Sequence, residues 1–132
     1  ELIVYDTYNA KPDSMKAALD VLSRFDGTKV FVMGAIGELG ATSLQLHAEV
    51  GTYANEKDLT ALLALGEDAK AASEACDVGQ YFENVDALLA ALRPYDVAGS
   101  TILVKGSRFM QMERVVEALL HTTGKKVNDM LL

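Results

Sequence analysis

The chain has 132 residues, half of them hydrophobic and 23% charged, with a formal net charge of -7. That is one globular domain with enough apolar mass for a core, which excludes a disordered segment. It also excludes a general binder of the nucleic-acid backbone, which needs a basic face, but not a single bound nucleotide. Cys76 stands alone, so there is no intrachain disulfide or cysteine-rich metal cage, and a reducing compartment fits best.

The chain starts at Glu1 rather than Met and enters a strand at once, Leu2-Ile3-Val4-Tyr5. That reads as a piece of a longer polypeptide. No apolar run approaches the roughly 18 residues of a membrane span, and no signal peptide is visible. After the polar stretch Asp6 to Ser14, Met15, Ala18, Leu19 and Leu22 recur at helical spacing, with Pro12 and Asp13 as start signals and Gly27 closing the unit. Val30 to Met33 is a continuous apolar run, as in a strand covered on both faces. The glycine-rich loop Gly34 to Gly40 follows. Thr42 and Gln45 match a capping box, and Leu44, His47, Val50 and Ala54 form the expected inner stripe of a second helix.

Leu62 to Leu65 reads as a third strand ending at Gly66, followed by an Ala-rich helix from Asp68 to Cys76. Gln80 to Phe82 reads as a short strand. Asn84 caps a helix with Val85, Leu88, Leu89 and Leu92 on one side, stopped by Pro94. A fifth strand, Thr101 to Val104, leads into a helix carrying Phe109, Met112, Val116 and Leu119, and the tail from Lys126 adds an edge strand. Strand–helix units in series predict an α/β fold. The sheet is Rossmann-like and mostly parallel, with five to six strands and helices on both faces.

Two polar clusters stand at strand tips, where open parallel sheets bind ligands. At the first, Asp6 suits the two hydroxyls of a ribose, and Tyr8 and Asn9 offer a flat ring and an amide to a base. The plainer reading is a capped or solvated turn. At the second, Lys105, Ser107 and Arg108 bring two cations and a hydroxyl to a helix start, where bare N–H groups already favour an anion. The alternative is two solvated side chains and an N-cap serine. The Gly34–Gly40 loop meets neither G-x-G-x-x-G nor the P-loop pattern. It reads as a loop needing left-handed backbone and close packing, with Glu38 a ligand or merely solvated. His47 lies on an apolar stripe and reads as a hydrogen-bonded inner histidine, while His121 complements a helix dipole. No metal site is expected, because the histidines are distant and lack zinc spacing.

Several segments together resemble the C-terminal domain of the Mur ligases. They are Asp6-Thr7-Tyr8-Asn9-Ala10-Lys11-Pro12-Asp13-Ser14-Met15, then Gly34 with Glu38-Leu39-Gly40, then His47 with Val50-Gly51. Val104-Lys105-Gly106-Ser107-Arg108 with Met112-Glu113 completes the set. The resemblance implies a fragment of a three-domain, ATP-dependent amide ligase of cell-wall precursor synthesis, acting as a monomer in the cytoplasm, with no nucleic acid or membrane partner. In that reaction ATP activates the carboxylate of UDP-N-acetylmuramoyl-tripeptide as an acyl phosphate, and the amine of D-alanyl-D-alanine attacks it. The implied P-loop and Mg-binding residues belong to a central domain absent here, and this fragment would supply no catalytic residue. By the same resemblance Asp6, Tyr8 and Asn9 would bind ATP, and Lys105, Ser107 and Arg108 would face the phosphate side and the incoming dipeptide. Lys11 departs from the family's usual asparagine, and Gly34-Ala35-Ile36 from its Gly-Asp-Met.

Two other classes are compatible with part of the pattern: a receiver-like signalling module and a free-standing nucleotide-binding domain. A receiver needs an acidic pair after the first strand and an aspartate at the third strand's tip, where this chain has Leu65-Gly66-Glu67-Asp68. The ligand-binding reading requires one geometry: the first and fifth strands must lie together, with their polar ends in one crevice.

Overall fold

Short apolar runs alternating with amphipathic helices have an obvious packing solution, strands side by side with crossover helices above and below. The computed structural model describes residues 2–7, 9–121 and the backbone of 126–129. The strands are β1 (Leu2–Asp6), β2 (Lys29–Gly34), β3 (Ala61–Leu65), β4 (Gly79–Phe82), β5 (Thr101–Lys105) and β6 (Lys126–Asp129). Between them run α1 (Pro12–Ser23), α2 (Ser43–Asn55), α3 (Lys70–Glu74), α4 (Val85–Leu92) and α5 (Glu113–Leu120). The sheet order is β4-β3-β2-β5-β1-β6. Every pairing is parallel.

β2, β3 and β5 are buried at every position, which explains why they read as unbroken apolar runs. Their alternate residues serve two separate layers. Phe31, Met33, Leu62 and Leu103 pack with Met15, Leu19 and Leu22 of α1 and Val50 of α2. Val30, Val32, Leu63 and Ile102 pack with Leu88 and Leu92 of α4 and Val115 and Leu119 of α5. Met110 is packed against both layers. On the first side α2 and α3 approach so closely that a Cβ at Gly51 would run into the carbonyl oxygen of Ala72.

Local signals set most boundaries. The Ser14 hydroxyl donates to the Lys11 carbonyl at 3.0 Å and accepts from the Lys11 amide at 2.9 Å, closing the first turn of α1 behind Pro12. Asn84 Oδ1 accepts from the Ala87 amide at 2.8 Å, the expected cap of α4. The tail does supply an edge strand, β6, beside β1.

Four expectations change. Thr42 does not cap α2: it ends a 3₁₀ turn, Gly40–Thr42, and its hydroxyl donates back to the Leu39 carbonyl at 2.9 Å. Leu44 is 59% exposed rather than on the inner stripe. The Ala-rich segment is split into a 3₁₀ turn, Glu67–Ala69, which starts after Gly66 (φ 101°), and the short α3, Lys70–Glu74. Phe109 lies in another 3₁₀ turn, Arg108–Met110, and is 64% exposed; α5 begins only after Gln111, whose φ is 51°.

Candidate functional site

The order of the strands creates the site. β1 and β2 both flank β5. The chain leaves β1 and β2 toward the helices of one layer and leaves β5 toward α5 in the other. Loops that part in this way open a crevice at the carboxyl ends of the strands, the usual ligand position in such sheets. The first and fifth strands therefore do lie together, and Asp6 is the register partner of Lys105.

Lys105 Nζ lies 3.1 Å from Asp6 Oδ2 and donates to the Asn9 carbonyl at 3.0 Å. Asp6 Oδ1 accepts from the Asn9 amide at 3.4 Å. Lys105 is 0% exposed and Asp6 6%. A buried ammonium is tolerated only against an anion and with its hydrogens satisfied. Lys105 thus departs from the expectation that it faces a phosphate directly: its burial beside Asp6 turns it inward, beneath the crevice. There it ties the β1 turn to β5.

The β5 loop is tied in turn to the glycine-rich loop. Ser107 Oγ accepts from the Gly37 amide at 2.8 Å, and the Ser107 amide donates to the Ala35 carbonyl at 3.3 Å. The glycines are where the packing leaves no space. A Cβ on Gly106 would meet Met112 Cγ at 2.7 Å and Gly34 Cα at 3.0 Å. Glu38 and Gly40 both have a φ of 62°, the left-handed backbone anticipated for this loop.

Between these loops lies a cleft of about 730 Å³, walled by Asn9, Lys11, Pro12, Gly37, Glu38, Leu39, Ser107, Arg108, Phe109 and Gln111. A second cleft of about 360 Å³ adjoins it beyond Phe109, bounded by Glu38, Ser43, Gly66, Glu67 and Asp68. Of the six residues singled out in the sequence, Asn9, Ser107 and Arg108 border the larger cleft, and Asp6 and Lys105 pair below it. Tyr8 lies outside the described residues. Arg108 is exposed, so the cleft has a cation at its rim, with apolar Leu39 and Phe109 beside it. That mixture suits a ligand with a flat or apolar part and an anionic part. Sequence reasoning missed Leu39, Phe109 and Gln111 as lining. The periodicity of α5 runs back smoothly through Phe109, and no Gly or Pro marks the left-handed Gln111.

A separate polar cluster joins α1 to α2 away from the clefts. The Tyr53 hydroxyl donates to Asp20 Oδ1 at 2.6 Å, and Lys57 Nζ lies 2.9 Å from the same oxygen. The Tyr53 hydrogen bond, then that of Lys57, holds the Asp20 carboxyl below its ordinary range. This is a helix-to-helix tie, not reaction chemistry.

A sheet of this order with its crevice at β1 and β5 defines an open, Rossmann-like parallel α/β domain, and the chain belongs to the Mur ligase family. It matches the family described as "Mur ligase, glutamate ligase domain" over residues 1–108. The receiver-like alternative falls with that match. The chain is similar to UDP-N-acetylmuramoyl-tripeptide–D-alanyl-D-alanine ligase of Escherichia coli (strain K12), 40% identical over 121 residues, 90% of this chain and 27% of that protein. It is likewise similar to the crystal structure of MurF from Acinetobacter baumannii (TM-score 0.81, 37% identity, 89% of this chain and 27% of that one). MurF ligase from Thermotoga maritima, solved in complex with ADP, gives a TM-score of 0.77 at 29% identity, over 88% of this chain and 28% of that one. The chain thus spans about a quarter of the length of the relatives it matches. Among the described residues, no helix is long and apolar enough to cross a membrane.

Proposed function

We propose that this chain is the C-terminal domain of an ATP-dependent ligase of the bacterial cytoplasm that joins D-alanyl-D-alanine to UDP-N-acetylmuramoyl-tripeptide. The observation that carries the reading is the cleft at the β1–β5 tips, bounded by Asn9, Ser107 and Arg108, in a chain similar to part of a MurF ligase solved in complex with ADP. The whole ligase would work as a monomer, with the P-loop and magnesium ligands supplied by a central domain.

In this reading Asn9 and Tyr8 border the adenosine. In the same reading the Asp6 carboxylate, an acceptor, would meet a ribose hydroxyl. Arg108 provides the charge that meets the phosphate side or the dipeptide carboxylate. Lys105 acts through Asp6 and the Asn9 carbonyl by fixing the turn that meets the nucleoside. The domain's contribution is positioning and charge stabilisation rather than a nucleophile. Its cover over the crevice keeps water from an acyl phosphate.

Titration of the isotope-labelled chain with ADP, followed by amide shifts, tests this. The expected perturbations cluster at residues 9–12, 37–39 and 107–109, and Asp6→Ala weakens binding by about 1–3 kcal/mol. The chain alone is expected to give no ligation from ATP, the tripeptide and the dipeptide. Shifts confined to the opposite rim of the sheet, or turnover by this chain alone, would overturn the proposal.

A further inference from the structure

Three successive amides leave the tip of β2 for three different partners. Ala35 N–H donates to the Leu65 carbonyl of β3 at 3.0 Å, Ile36 N–H to His47 Nε2 of α2 at 2.9 Å, and Gly37 N–H to Ser107 Oγ at 2.8 Å. The first only extends the strand ladder, which any sequence can do. The other two depend on particular side chains. His47 is 0% exposed, and its ring geometry fixes its tautomer. An N–H pointing at Nε2 makes that nitrogen the acceptor, so the ring proton is on Nδ1. Nδ1 then donates to the Ser43 carbonyl, 2.7 Å away and one helical turn back. The Ser43 hydroxyl donates to Asp68 Oδ2 at 2.6 Å, which anchors the same turn to the loop after β3.

We propose that His47 is a positioning residue for the cleft: its neutral ring, with the proton on Nδ1, holds Ile36 so that Gly37 reaches Ser107 and the left-handed Glu38 turn forms the cleft wall. As a role in ligand binding this rests on the reading of the cleft given above. Bulk alone does not do the job. A phenylalanine would fill the space without an acceptor, whereas a glutamine carries an oxygen at the corresponding distance from the backbone.

Imidazole ¹⁵N spectra and amide hydrogen exchange on the 132-residue chain test it, with His47→Ala and His47→Gln and with ADP as the probe. The wild type is expected to show a protonated Nδ1 and an unprotonated Nε2 at His47. In His47→Ala, exchange at Ile36 and Gly37 rises at least tenfold while Val32 and Leu63 keep their protection, and ADP binds at least fivefold more weakly. His47→Gln returns both readouts to within threefold of wild type. A ring proton on Nε2 in the wild type, a measurement that needs no variant, overturns the proposal. Unchanged protection at Ile36 and Gly37 in His47→Ala does so too, as does an acceleration spread evenly over β2 and β3. If the wild type binds no ADP, the ligand reading fails by itself, and the ring and exchange results still decide whether His47 holds the loop.

Discussion

Asp6 and Lys105 face each other across the β1–β5 ladder, 99 residues apart in sequence, with Nζ 3.1 Å from Oδ2 and both residues buried. The pair converts two loop ends into one rigid corner. It also explains why a lysine can be fully buried at the end of an apolar strand. Lys105→Met leaves the Asp6 carboxylate buried without its cation, and a loss of about 3–5 kcal/mol is expected on the scale for broken buried pairs. Urea denaturation measures it. Asp6→Asn combined with Lys105→Met should recover most of the loss, and equal losses in the single and double variants would show that the stranded charge is not the cause.

Arg108 is expected to behave in the opposite way. It is exposed at the cleft rim, so Arg108→Ala should leave stability within about 0.5 kcal/mol of wild type. Binding of ADP should weaken by about 1.5–3 kcal/mol, the scale of a hydrogen bond to a charged group. Calorimetric titration beside a thermal melt separates the two effects.

Gly51→Ala reverses a usual sign. In an exposed helix the change gains up to about 1 kcal/mol. Here the new methyl meets the Ala72 carbonyl, and overpacking against backbone should cost about 1–3 kcal/mol. A lower urea midpoint with an unchanged slope is the expected result.

The Asp20–Tyr53–Lys57 tie gives the pH dependence. Asp20 is held below its ordinary 3.8 chiefly by the Tyr53 hydrogen bond. The hydrogen bonds they donate to Asp20 raise Tyr53 above 10.0 and Lys57 above 10.5. The Asp20 contribution is therefore complete above its ordinary value and is lost as pH falls through the depressed one. The Tyr53 and Lys57 contributions are complete below their ordinary values and are lost as pH rises through the raised ones. These groups lie at the surface, so the changes in stability should be small. Tyr53→Phe should move the Asp20 midpoint up toward 3.8 in a carboxyl NMR titration; an unmoved midpoint would assign the depression to Lys57 instead.

The architecture was legible because its signals are local and redundant. Val30 to Met33 and Thr101 to Val104 read as buried strands since both their faces are covered. Asn84 caps its helix by a bond three residues away. The site was legible as two clusters, Asp6 to Asn9 and Lys105 to Arg108, and their meeting across β1 and β5 followed from strand order. That Lys105 is turned away from water did not follow, because the Asp6–Lys105 bond joins residues 99 apart in the chain. Phe109 was misread for a different reason: a 3₁₀ turn advances 3.0 residues per turn rather than 3.6, so a stripe traced by helical periodicity slips as it crosses Arg108–Met110. Leu44 lies inside α2, whose buried face begins at the polar Ser43 and runs through His47, Val50, Gly51 and Ala54, so its apolar side chain drew the stripe one residue off.

The sheet separates two apolar layers, and Met110 touches both from the lip of the smaller cleft. Its thioether spans the ends of β2 and β3, where a Cβ on Gly34 would stand 3.1 Å from Met110 Cβ and one on Gly66 would stand 2.9 Å from Met110 Cε. An unbranched methionine is a pliant wedge and transmits strain poorly. Truncations of Leu19 and Leu119, on opposite sides, should behave as independent perturbations whose costs simply sum. Any departure from that sum should vanish when position 110 is shortened, since there the halves of the interior meet around the end of the strands.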